Sequence, residues 1–159
     1  MTSTDLYHSV TSTAFSQFIQ RTHGMIASIQ MVHIACLACV FALGLALALS
    51  LAGKGFVSES LDSLSRRFVP AIWIFVAALL VSGALLIIAE PVRSLPKPVF
   101  YIKMALVVLA IIMTSAIAGW ARRSQRRAGA TALAGKAVAV VYMLVWCSII
   151  IAGRMIAYY

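Results

Sequence analysis

His33 stands deep in the first long apolar run of a 159-residue chain. An imidazole at membrane depth is costly unless it is paired, which makes it a candidate for function. Two chemistries suit it. It could hydrogen-bond to a neighbouring helix, together with Gln30 one helical turn away on the same face. It could also ligate haem or a metal through a neutral ring nitrogen. A haem b held between helices needs a second axial ligand. His8 and His23 fall in the polar N-terminal segment, so that ligand would be a methionine, with Met113 the best placed and Met143 its competitor. Methionine at helical spacing equally fills a core. His33, Cys36 and Cys39 recur every three residues, and imidazole with soft thiolates suits copper(I) or zinc. Along a helix that spacing drifts by about 60° per step, and buried cysteine also packs as a small hydrophobe. The cofactor readings are therefore haem b or copper, each centred on His33.

A second constellation is charged. Glu90, Lys103 and Arg154 lie near the ends of three apolar runs that share one side of the membrane if the chain crosses it four times. Together they could form a shallow anionic or proton-linked site, with Lys103 and Arg154 as binders and Glu90 as counter-charge. The alternative is that the basic side chains snorkel to the interface and Glu90 closes a loop. Small residues form a third set: Ser82, Gly83 and Ala84, then Ser115 with Gly119, then Gly153. They permit close helix approach, within the chain or to a partner. No residue set specifies catalysis.

The elements that must position these groups follow from composition. The chain is 63% apolar and only 11% charged, against about 25% charged in soluble domains, and its mean hydropathy is +1.01. A soluble fold could not bury so much apolar surface. Thirteen Lys and Arg against four Asp and Glu give a net charge of +9. The basic residues lie between apolar runs rather than on a recognition module, which fits loops beside an anionic leaflet and excludes a nucleic-acid partner. The three cysteines all fall in apolar runs and form no secreted disulfide framework. The polar start of the chain is followed by an apolar run too long for a signal core, so the first span is read as retained.

The expected fold is all-α: an integral membrane four-helix bundle preceded by a short amphipathic interfacial helix. Residues 1–24 form the polar, amphipathic segment, with the helix over Thr4–Thr22 on the recurrence of Leu6, Val10, Phe15, Phe18 and Ile19. Residues 25–159 form the bundle, with spans at about 25–51, 69–89, 99–121 and 137–157, each long enough to cross about 30 Å of hydrocarbon. Gly53, Pro91 and the Pro96-Lys97-Pro98 run punctuate the connections. Lys54, Arg66, Arg67, Arg122, Arg123, Arg126, Arg127 and Lys136 fall on one side, eight against the five of Arg21, Arg93, Lys97, Lys103 and Arg154. The positive-inside rule puts the eight in the cytoplasm and both termini in the periplasm of a bacterial inner membrane. Trp73 and Trp120 near one side, and Tyr101, Tyr158 and Tyr159 near the other, match an aromatic belt.

Three stretches, MIASIQMVHIACLA in span 1, PVFYIKMALVVLA at the start of span 3 and the C-terminal AGRMIAYY, resemble a family of small bacterial membrane proteins, domain of unknown function 6644. The resemblance covers about Ser16 to Tyr159, and its most specific pieces are His33, Ile102-Lys103 and Gly153-Arg154. It implies a four-helix membrane protein without an assigned activity. Where that family often carries an acidic residue three positions before the span 1 histidine, this chain has Gln30. Where it often has a histidine near the end of span 3, this chain has Ala118. The functional expectation is a non-catalytic accessory or structural subunit, with the bilayer, a second copy or a larger membrane complex as partner. The alternatives are a haem b or copper redox protein using His33, and a small oligomeric transporter or channel.

The basic asymmetry predicts the outcome of labelling in intact cells. A cysteine introduced as Ser3→Cys reacts with an impermeant thiol reagent and one introduced as Ser124→Cys is protected; the reverse pattern refutes the orientation.

Overall fold

A computed structural model describes residues 12–53, 61–91, 95–124 and 132–158. Among them are five helices and no strand: α1 (Ala14–Arg21), α2 (Met25–Leu51), α3 (Leu61–Ala89), α4 (Pro98–Ser124) and α5 (Ala132–Tyr158). Helices α2 to α5 are each long and apolar enough to cross a membrane. In hydrocarbon every backbone polar group must be satisfied within the protein, which leaves helices as the economical solution for such runs.

The helix ends follow local chemistry. Thr13 caps α1, its hydroxyl accepting from the Ser16 N–H, and Gly24, at φ 80°, makes the tight passage into α2. Gly53, at φ 73°, closes the other end of α2, with its N–H donating to Ser50 O. Both glycines occupy the left-handed region that residues with a Cβ avoid. At the far end of the bundle, the Lys97 ammonium reaches the terminal turn of α5 and donates to Ile156 O at 2.7 Å.

Helix α2 packs most extensively on α3, and α4 on α5, while α5 also returns to α2. The shared core contains Val40 and Leu47 of α2, Ile72 of α3, Ala110 and Ile117 of α4, and Tyr142 of α5. The outer faces are as apolar as the core: Ile74 is 69% exposed and Leu144 60%. Such continuous apolar surface on all sides is matched by acyl chains, and the chain is a multi-pass membrane protein.

Helices α3 and α5 extend beyond the spans expected at 69–89 and 137–157. Helix α3 begins at Leu61, not Val69. Its extra turns are amphipathic: Leu64 and Ser65 turn inward, and Asp62, in the first turn where the helix dipole favours negative charge, holds Arg66 in an i, i+4 pair of 2.9 Å. Pro70 sits inside this helix. Helix α5 begins at Ala132, and Gly135 lets it approach α2 closely.

The N-terminal helix also differs from its expected range of Thr4–Thr22. Residues 1–11 lie outside the described residues, and α1 spans Ala14–Arg21. It does not simply rest on the bilayer. Ile19 and Ser16 are buried against the bundle while Phe15 and Phe18 face outward. Ser16 Oγ donates to Ile88 O and Gln20 Nε2 to Ala89 O, both at 2.8 Å. These carbonyls end α3 just before Pro91, where the helix ladder runs out, so α1 supplies side-chain partners for the last turn.

A Cβ at Gly135 would stand 2.7 Å from Leu51 O, a backbone atom that cannot swing away, whereas one at Gly119 would meet nothing within 4 Å. Gly135→Val is therefore expected to cost about 1–3 kcal/mol by overpacking, and Gly119→Val to be far milder. Thermal unfolding of both variants in one detergent checks this, and equal midpoints would contradict the close approach.

Candidate functional site

Three helices bring polar groups together in one end of the bundle. His33 is about 12 Å along α2 from its start, Ser82 about 10 Å from the end of α3, and Lys103 about 8 Å along α4, at 1.5 Å per residue. All three lie towards the end where α1 docks. His33 Nδ1 is 2.8 Å from Ser82 Oγ, and Ser82 Oγ is itself 2.7 Å from Ala78 O, one turn back in α3. A serine hydroxyl has one proton, which the short bond to Ala78 takes, so we assign the proton on Nδ1 to the imidazole. Ser82 then accepts from the ring, and Nε2 retains its lone pair. Gly83 makes room, since a Cβ there would stand 3.4 Å from His33 Cε1.

Gln30, the partner expected from helical spacing, is exposed. Ser82 is the partner instead, because α2 turns the His33 face towards α3. The signal was present as a Ser-Gly pair interrupting an otherwise apolar run.

Lys103 extends from α4 at this end of the bundle and is half-buried. Its ammonium is turned towards α5, where the position of a Cβ on Gly153 would be 3.6 Å from Nζ. Among the described residues it has neither a hydrogen bond nor a carboxylate partner. Glu90 and Arg154 are at the same end, and each is engaged with a neighbour. Arg154 is exposed and Glu90 partly so. Of the expected charge cluster, Lys103 is the member turned towards a neighbouring helix within the bundle.

The other candidate ligands are elsewhere. Met113 is about 15 Å further along α4 than Lys103, and it packs with Met143 against the core. By the same measure Met113 is about 10 Å further from this end of the bundle than His33. Cys36 is buried and Cys39 half-buried, but no group of three His, Cys, Asp or Glu side chains among the described residues is placed to hold a metal ion. The drift around α2 keeps His33, Cys36 and Cys39 from converging.

A polar knot that sequence reasoning missed occupies the middle of the bundle. Tyr142 is completely buried, and its hydroxyl is 3.0 Å from Thr114 Oγ1. Thr114 gives its own proton to Ala110 O at 2.8 Å, so Tyr142 is the donor. The ring fits because α2 has Gly44 opposite: a Cβ there would stand 3.1 Å from the tyrosine oxygen. Trp146 packs edge-on against Tyr142 and lines a shallow lateral groove with Ile72, Trp73, Val76, Ile111 and Thr114. Its Nε1 is buried without a hydrogen-bond partner among the described residues.

The fold and this arrangement define the class: a multi-pass α-helical membrane protein whose spans are joined by sparse interhelical hydrogen bonds. No protein-family model, curated protein or solved structure matches the chain.

His33→Gln keeps a side chain able to donate to Ser82, and its expected cost is about 1–2 kcal/mol, the range for a single interhelical bond in a membrane. A double-mutant cycle with Ser82→Ala isolates the pair. Strictly additive effects on unfolding would show that the two side chains are not coupled.

Proposed function

We propose that this chain is a non-catalytic accessory or structural subunit of a membrane assembly, held in a bacterial inner membrane with both termini in the periplasm, and akin to the family that its span 1, span 3 and C-terminal stretches resemble. One observation carries the reading. Ser115 is exposed, and the space where a Gly119 side chain would stand is open. The small-residue pair on α4 is therefore not spent on packing within the chain. Val108 and Ile112 continue the same exposed face, and a stripe of this kind lets a second helix approach closely. The polar interior supports the reading too, since its polar side chains pair across helices, His33 with Ser82 and Tyr142 with Thr114.

Gly119→Leu tests it. A Cβ at this position meets nothing within 4 Å among the described residues, so the expected result is nearly unchanged thermal stability together with loss of self-association or of co-purifying partners in mild detergent. Unchanged association by crosslinking in native membranes would reject the α4 face as the assembly surface.

A second reading rests on the tautomer of His33. With Nδ1–H held by Ser82, Nε2 presents its lone pair, the arrangement in which an outer partner orients a ligating histidine. That favours haem b or copper as the group held, with the second ligand supplied from outside this pair. An absorption spectrum of the purified protein decides: stoichiometric haem that disappears in His33→Gln replaces the structural reading with a redox one.

A further inference from the structure

Lys103 stands out among the groups in the bundle. Cations within spans usually pair with an anion or extend to the interface. This ammonium is instead turned inward towards Gly153 on α5. Asp62, the acidic residue with a described ion pair, lies at the opposite end of the bundle with Arg66. His33 offers no compensating negative charge, and its Nδ1 is occupied by Ser82. Glu90, at the same end, is engaged with a neighbour of its own, and among the described residues the half-buried Lys103 ammonium has neither a hydrogen bond nor an ion pair.

Two features select the anion. Lys103 lies about 8 Å along α4 from its start, the level at which a bilayer changes from headgroups to acyl chains. The apolar surfaces below this level on α4 and α5, with Val108, Leu144 and Ile151 exposed, suit hydrocarbon rather than water. A single ammonium also balances the single charge of a phosphodiester. From the Lys103–Gly153 juxtaposition, we propose that the outer end of the α4–α5 seam is a binding site for the phosphodiester of an anionic phospholipid, with the Lys103 ammonium, held at the seam against α5, as its charge partner.

A phosphodiester already present in the membrane reaches such a site laterally, with its acyl chains along α4 and α5. Zwitterionic lipids bind less well because their own ammonium competes for the phosphate. The source of the anion is distinguished by offering it in two forms.

The experiment uses the full chain in nanodiscs of phosphatidylcholine alone or of an equal mixture with phosphatidylglycerol, followed by detergent release and native mass spectrometry of the lipids retained. The wild-type protein is expected to retain phosphatidylglycerol over phosphatidylcholine. Lys103→Met weakens that retention by about tenfold, equivalent to about 1.4 kcal/mol. Lys103→Arg preserves it, and Arg66→Met, at the other end, leaves it unchanged. Thermal unfolding of the wild-type protein with inorganic phosphate is the second arm, and no stabilisation is expected. Equal retention of the two lipids by wild type overturns the proposal without recourse to any variant. Equal loss in Lys103→Met and Arg66→Met shows diffuse attraction to the surface and also overturns it. Stabilisation by inorganic phosphate that Lys103→Met abolishes assigns the site to a soluble anion and rejects the lipid.

Discussion

Tyr142 is a large polar side chain placed where four apolar helices meet, and the geometry around it has to accommodate both its bulk and its hydroxyl. The bulk is accommodated by Gly44, which lets α2 approach the ring edge. The hydroxyl is satisfied by Thr114 on α4. One side chain on α5 thereby fixes its distance to two other helices, and an error in the rotation of any of them would strand a buried phenol without a partner. An unpaired buried hydroxyl costs several times more than a satisfied one returns. The knot therefore acts chiefly against alternative packings. Apolar side chains on lipid-facing and core-facing surfaces are too alike to select one arrangement by burial alone.

The same logic organises the end of the bundle that contains His33. Ser82 links α3 to α2 through the imidazole, while its own proton stays within α3. Tyr142 with Thr114 and His33 with Ser82 thus join different helix pairs at different depths. Between them lie aliphatic contacts that add cohesion without direction. Lys103 departs from this economy as a charged group brought inside without a hydrogen bond or carboxylate among the described residues, and it is a natural place to look for something that the chain does not encode.

Much of the fold was legible in the residues because the bilayer imposes a length and a composition on each crossing. Span 1 was read at 25–51 and α2 is Met25–Leu51, bounded on both sides by glycines whose role is plain in one dimension. The start of α3 was not legible. Hydropathy registers where a helix enters hydrocarbon, and Leu61–Phe68 continues as an amphipathic helix outside that window, stabilised by Asp62 and Arg66. The site was legible as a residue but not as a pair. His33 declares itself by its cost, whereas Ser82 is small, tolerated anywhere in a membrane helix, and becomes its partner only through the rotation of α2 against α3. Tyr142 looked like one more aromatic residue in an apolar run, because nothing local links it to Thr114 or Gly44. Residues 54–60 and 125–131, which contain Lys54, Arg126 and Arg127, lie outside the described residues, so the charge asymmetry remains a reading of sequence.

The bonds from α1 to α3 join residues 72 and 69 positions apart, Ser16 to Ile88 and Gln20 to Ala89. During synthesis the donors precede their acceptors by two complete membrane crossings. Throughout that interval Ser16 and Gln20 lack the two carbonyls to which they donate in the finished fold. The docking of α1 therefore marks the moment when the second crossing is finished and its end has emerged on the same side as the start of the chain. A second crossing that failed to insert, or a chain cut short before Ile88, would leave Ser16 and Gln20 without these acceptors. The local cap thereby works as a record of correct assembly, written by the earliest part of the chain on a later one.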